Sequence, residues 1–292
     1  MKVGSEAHKQ LFCRTFLELH RRYEPEQLEW PVLDEDALLL LRGLAFWTHA
    51  LQAEEDAGPM IRACAATERD PLLRRALELQ GYEETRHARI IRHMIGLYEL
   101  PADEARVVLP DDVTNAFIDF GFEECLDSFG AFGLFALARA SLSVPAPLFD
   151  IFDRVMQEEA THIVFFLNWF AYRQANRGPA SRLFRHAKAL RHYTRALRKL
   201  MALARANDAP AGKDFIVSGA SAFVDNLNAR VVLAACVAEN ARRLAGFDRR
   251  LLVPCLAPRL ARLALGLLRW MPGRRAPAAT VGNLAIPPAG RP

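Results

Sequence analysis

The chain has 292 residues, 51% hydrophobic and 25% charged, which is enough to build one large domain or two small ones around a full core and excludes a mainly disordered chain. Lys and Arg number 38 against 34 for Asp and Glu, and the resulting net charge of +4 is too small to argue for nucleic acid by itself. The five cysteines are odd in number, far apart and without any C-x-x-C spacing, so neither a disulfide framework nor a cysteine metal knuckle is encoded, and a reducing cytoplasm is the expected location.

Residues 1–33 carry charges every few positions and lack the apolar stretch of a secretory signal; they read as an N-terminal extension. Beyond them, apolar residues recur at three and four between clusters of Gly and Pro, an all-α pattern. A first long helix is expected from an Asp34 N-cap to about Ala66, bent at Gly58-Pro59. Asp70-Pro71 pairs an N-cap with proline at the first helical position and opens a second helix that runs to about Tyr98. The third starts near Asp112 and runs to about Ser141. Val144 to Pro147 then separates it from a fourth that ends near Asn176. Four helices of this length predict a four-helix bundle over residues 34–178.

Residues 179–271 read as accessory C-terminal helices. The first of them, about 180–206, carries ten basic or histidine side chains and no acidic residue, a solvated face or a docking surface for an anionic partner. His186 and His192 on it read as surface residues, and His8, His20, His49 and His93 receive no role. A sixth helix is expected from about Asp214 to Ala245 and a short amphipathic one from about Pro258 to Trp270. The apolar run Leu251 to Met271 is interrupted by Arg259, Arg262 and Arg269, so no transmembrane segment is expected. The tail 272–292, rich in Pro, Gly and Ala, is expected to be disordered.

The doublet Glu-Glu occurs four times, once near the middle of each expected bundle helix: Glu54-Glu55, Glu83-Glu84, Glu123-Glu124 and Glu158-Glu159. The second and fourth continue as Glu84-Thr-Arg-His87 and Glu159-Ala-Thr-His162, which puts a carboxylate and an imidazole on one helical face. At 100° per residue Glu54, not Glu55, lies within the apolar arc of its helix, as do Glu84, His87, Glu159 and His162 on theirs. The third helix is apolar nearly all round, so its wheel does not choose between Glu123 and Glu124; spacing favours Glu124. Four carboxylates and two imidazoles turned into a core need compensation, because an unpaired buried carboxylate costs several kcal/mol. Two divalent cations cancel four carboxylates charge for charge, and carboxylate with imidazole ligation suits iron or manganese.

With these residues in place, the stretch from about Asp34 to Asn176 resembles the ferritin-like di-iron carboxylate superfamily. The resemblance implies a ferritin-like four-helix bundle and a metal set of Glu54, Glu84, His87, Glu124, Glu159 and His162. Glu83-Glu84-Thr-Arg-His87 is similar to the motif of bacterial di-iron monooxygenases and ribonucleotide reductase small subunits. By that analogy Glu158 hydrogen-bonds His87 and Glu83 hydrogen-bonds His162, outside the metal set. A reductase is disfavoured, since the radical tyrosine position four residues after His87 is Ile91, and a rubrerythrin is disfavoured by the absence of paired cysteines.

The resemblance further implies two iron ions as cofactor, with Mn/Fe and Mn/Mn pairs equally suited to the ligands. It implies an oxidoreductase: an oxygenase or oxidase that uses O2, an external electron donor and a small-molecule substrate, free or carrier-bound. The alternative is a ferroxidase or iron-handling bundle without organic substrate. A homodimer is a further expectation. Eleven of the 18 phenylalanines fall between Phe117 and Phe170, a distribution that suits an apolar lining or an ordinary core.

Overall fold

A computed structural model of the chain describes residues 1–44, 46–178, 185–207 and 228–270. The tail 272–292 and the first half of the expected sixth helix lie outside these residues. Among the described residues every regular element is helical: α1 (Glu6–Leu19), a 3-10 turn (Pro25–Gln27), α2 (Glu35–Arg42), α3 (Trp47–Thr67), α4 (Pro71–Tyr98), α5 (Val113–Ser141), α6 (Ala146–Asn176), α7 (Arg185–Asn207), α8 (Ala229–Leu244) and α9 (Leu256–Trp270).

The starts of α2, α4 and α5 follow from side-chain caps that satisfy otherwise orphaned backbone N–H groups. Asp34 accepts from the Ala37 N–H at 2.8 Å, Asp70 from Leu72 and Leu73 at 2.9 and 3.1 Å, and Asp112 from Asn115 at 3.0 Å. The single long helix expected from Asp34 is instead two. Gly43 closes α2, and the Trp47 indole N–H donates to the Leu41 carbonyl at 2.8 Å, taking an acceptor that a continuous helix would use internally. Helix α3 continues through Pro59.

Helices α3 and α4 lie along one another, α5 packs on α3 and α6, and α1 lies against α4 and α6. The closest approach of α3 to α4 is made by two facing glycines. A methyl group on Gly58 would meet Thr85 Oγ1 at 2.3 Å, and one on Gly81 would meet Arg62 Cγ at 2.7 Å and the Gly58 carbonyl at 3.0 Å. That contact lies one helical turn from Glu54 and from Glu84, so it sets how near their backbones come.

Phenylalanines from α5 and α6 interlock edge to face. Phe117 meets Trp169 at 4.9 Å and Phe122 meets Phe166 at 5.1 Å between centroids, all four fully buried. These rings are packed core. Helices α7 and α8 cover α5, with α9 on α8. His192 of α7, expected on the surface, sits at the α5 interface: its Nδ1 lies 2.6 Å from Asp119 and its ring stacks on Phe122. Arg195 pairs with the same aspartate, so two of the basic side chains of α7 anchor the helix. No helix among the described residues is long and apolar enough to cross a membrane.

Candidate metal centre

The four helices α3 to α6 each deliver one carboxylate of the set to a common point. Glu54 comes from α3, Glu84 and His87 from α4, Glu124 from α5, and Glu159 and His162 from α6. Their ligand atoms form two groups within metal-binding reach, Glu54, Glu84, His87 and Glu159 in one and Glu84, Glu124, Glu159 and His162 in the other. Glu84 and Glu159 belong to both. Of each doublet one member joins the cluster, although Glu83 and Glu158 are buried as well. Glu55 pairs outside with Arg92, and Glu124 rather than Glu123 joins the cluster.

Distances inside the cluster are nearly symmetric. His87 Nδ1 lies 3.0 Å from Glu159 Oε1 and 3.6 Å from Glu84 Oε2. His162 Nδ1 lies 3.0 Å from Glu84 Oε1 and 3.6 Å from Glu159 Oε2. Both Nδ1 atoms, together with Glu124 Oε2 and Glu159 Oε1, are buried, and none of their close approaches has hydrogen-bond geometry. Orphaned buried polar atoms are rare in folded proteins, and four of them converging from three helices fit the donor set of a bound cation.

The other ring nitrogen of each histidine is fully engaged. His87 Nε2 donates to Glu158 at 2.8 Å and His162 Nε2 donates to Glu83 at 2.8 Å, the two pairings that the resemblance implies. With the proton fixed on Nε2, a neutral imidazole presents its Nδ1 lone pair to the cluster.

Around these carboxylates lies a layer that sequence reasoning missed. Arg86 is wholly buried and donates to Glu158 at 2.7 Å, the Tyr23 hydroxyl donates to Glu158 at 2.8 Å, and His20 Nδ1 donates to Glu83 at 2.6 Å. His20 and Tyr23 are more than 60 residues from the carboxylates they touch, and no periodicity reports such a contact. The Arg in Glu-Thr-Arg-His was the only local signal.

Electrostatics separate the groups. Burial, reinforced by the charges of Glu84 and Glu159, raises the Glu54 carboxyl to about 8, and the same causes push Glu124 well above the usual carboxylate range. Glu84 and Glu159 pay the same burial, yet the two imidazoles hold both below it. Burial alone would lower the histidines; the surrounding carboxylates, Glu158 and Glu159 at His87, Glu84 and Glu159 at His162, raise both well above the ordinary value. Outside the cluster Glu83 is drawn down to about 2, its burial outweighed by hydrogen bonds from His162 and His20. Burial and the crowded carboxylates thus favour the protonated forms of Glu54, Glu124 and both imidazoles.

The arrangement can bind a metal ion through a buried Glu/His cluster. Both histidine side chains are fully buried, while the Glu54 side chain is 21% exposed. No family model, curated protein or solved structure matches the chain.

Proposed function

We propose that the chain is a ferritin-like di-iron carboxylate protein, an oxygenase or oxidase of a small organic substrate. The observation that supports it most is the pair of ligand groups sharing Glu84 and Glu159, each with one histidine whose Nδ1 points inward and has no neighbour in hydrogen-bond geometry. Glu54 and His87 would hold one ion, Glu124 and His162 the other, and Glu84 and Glu159 would be shared between them. A di-iron centre held by these residues would supply the electrons and open coordination positions that O2 chemistry needs.

The chain's own residues contribute the rest. Glu83 and Glu158 fix both imidazoles in orientation and tautomer. The interlocked rings of α5 and α6 keep water from the inner face. Glu54, partly exposed and able to hold a proton near neutral pH, can take or give that proton.

Single-turnover O2 uptake by the Fe(II)-loaded protein tests the reading. Uptake that a small organic molecule accelerates and couples to its own oxidation supports the enzyme. Rapid uptake indifferent to every organic molecule, with iron accumulating far beyond two per chain, would replace it with iron handling.

A further inference from the structure

Both outer carboxylates are held by one short stretch of chain. Residues 20–23 follow α1 without helical hydrogen bonds of their own, with Arg21 and Arg22 exposed and Tyr23 buried. Glu158 uses Oε2 for both His87 Nε2 and the Tyr23 hydroxyl, each at 2.8 Å. Glu83 uses Oε2 for His162 at 2.8 Å and Oε1 for His20 at 2.6 Å. The stretch thus reaches each inward histidine through a single carboxylate. Arg86 fastens its middle: the guanidinium donates to the Arg21 carbonyl at 2.9 Å and lies 4.0 Å from the Tyr23 ring centroid.

We propose that residues 20–23 form a latch whose docking is coupled to metal occupancy, with His20 and Tyr23 as positioning residues for the two metal-binding histidines. The proposal rests on the metal reading above. A histidine bound to metal through Nδ1 is fixed in place, and so is the carboxylate that accepts from its Nε2. A fixed carboxylate in turn presents a better acceptor to Tyr23 or His20. Coupling of this kind is reciprocal: whatever factor the docked latch adds to metal affinity, bound metal adds to docking. The two directions can be measured separately.

The first measurement is backbone amide hydrogen exchange over residues 20–24 in the full chain, metal-free and loaded anaerobically with Fe(II). The second is the rate at which a chelator in excess removes Fe(II) from the wild type, Tyr23→Phe and His20→Gln. The proposal expects exchange in the latch to slow on loading. It expects both variants to take up as much iron as the wild type and release it about 10-fold faster, with little change in the melting temperature of the metal-free form. A merely structural role would lower metal-free stability and leave release unchanged. Unchanged exchange, or wild-type release rates in both variants while iron binds normally, overturns the latch and leaves the metal reading standing. If the wild type takes up no iron, both fall together. Should the variants fail to fold, exchange in the wild type decides alone.

Discussion

Glu84 lies nearer to His162, across the cluster on α6, than to His87 one turn along its own helix: 3.0 Å against 3.6 Å. Glu159 repeats the relation, 3.0 Å from His87 and 3.6 Å from His162 of its own motif. Each E-x-x-H carboxylate therefore serves the opposing histidine as much as its own. This exchange is what makes the centre one unit with two halves.

The exchange has a stoichiometric consequence. Glu54 and Glu124 each belong to one half, whereas Glu84 and Glu159 belong to both. Glu84→Ala and Glu159→Ala should abolish binding at both halves, and Glu54→Ala or Glu124→Ala should leave about one ion per chain, since the other half keeps its ligands. Elemental analysis of the four variants after loading with Mn(II) checks this. Equal loss in all four would contradict the division into halves.

The pH dependence follows from the protonated forms that the metal-free centre favours. Glu54 has its folded pKa raised from 4.5 to about 8, so its contribution to stability is complete below 4.5 and lost as pH rises through 8. Both histidines, raised above 6.5, act in the same direction. Glu83, lowered to about 2, has the opposite sign: its contribution is present above 4.5 and lost as pH falls toward 2. The metal-free protein should lose stability as pH rises from about 4.5 through about 8, while metal binding, which competes with the protons, should strengthen. Melting temperatures with and without Mn(II) at the two ends of that range test it; the increment due to metal should be larger at the alkaline end.

Arg86 lies between both outer carboxylates, 2.7 Å from Glu158 and 3.9 Å from Glu83, and its side chain is fully buried. Arg86→Leu removes that charge and leaves buried carboxylates with less compensation. Breaking a buried pair from one side costs about 3–5 kcal/mol, and urea unfolding of the metal-free variant should show a loss of that order. A loss within error would mean that Glu83 and Glu158 are compensated without it.

Much of this was legible in the chain. Asp70-Pro71 and Asp112 mark the starts of α4 and α5 because a cap is a local interaction, written in adjacent residues. Glu54 is separable from Glu55 because α3 has a polar side for comparison. Glu124 was not separable from Glu123 on the wheel: α5 is covered by α3, α6, α7 and α8, so its sequence has little polar face, and only its neighbours distinguish the two. The break between α2 and α3 depends on the Trp47 indole taking a backbone carbonyl, a choice that helix propensity does not encode. His20 and Tyr23 were invisible for a similar reason, since their meaning comes wholly from residues distant in sequence.

The facing glycines of α3 and α4 offer a test of how tightly the centre's geometry is held. Gly81→Ala places a methyl group against Arg62 Cγ and the Gly58 carbonyl, and the backbone carbonyl has little room to give. Overpacking of this kind costs about 1–3 kcal/mol, and the resulting separation of α3 from α4 should weaken metal binding in the Glu54 half first. Thermal unfolding together with Mn(II) titration would separate the two effects. Undiminished affinity at reduced stability would show that the centre tolerates the shift.

Metal content tests the central claim most directly: elemental analysis of the wild type after anaerobic loading with Fe(II), brief exposure to air and removal of loosely held metal. Four carboxylates and two inward imidazoles in two overlapping groups predict about two irons per chain, reduced to near zero by Glu84→Ala. A wild-type content near zero would contradict the account, because the buried Nδ1 atoms of His87 and His162 would then have no ion to bind.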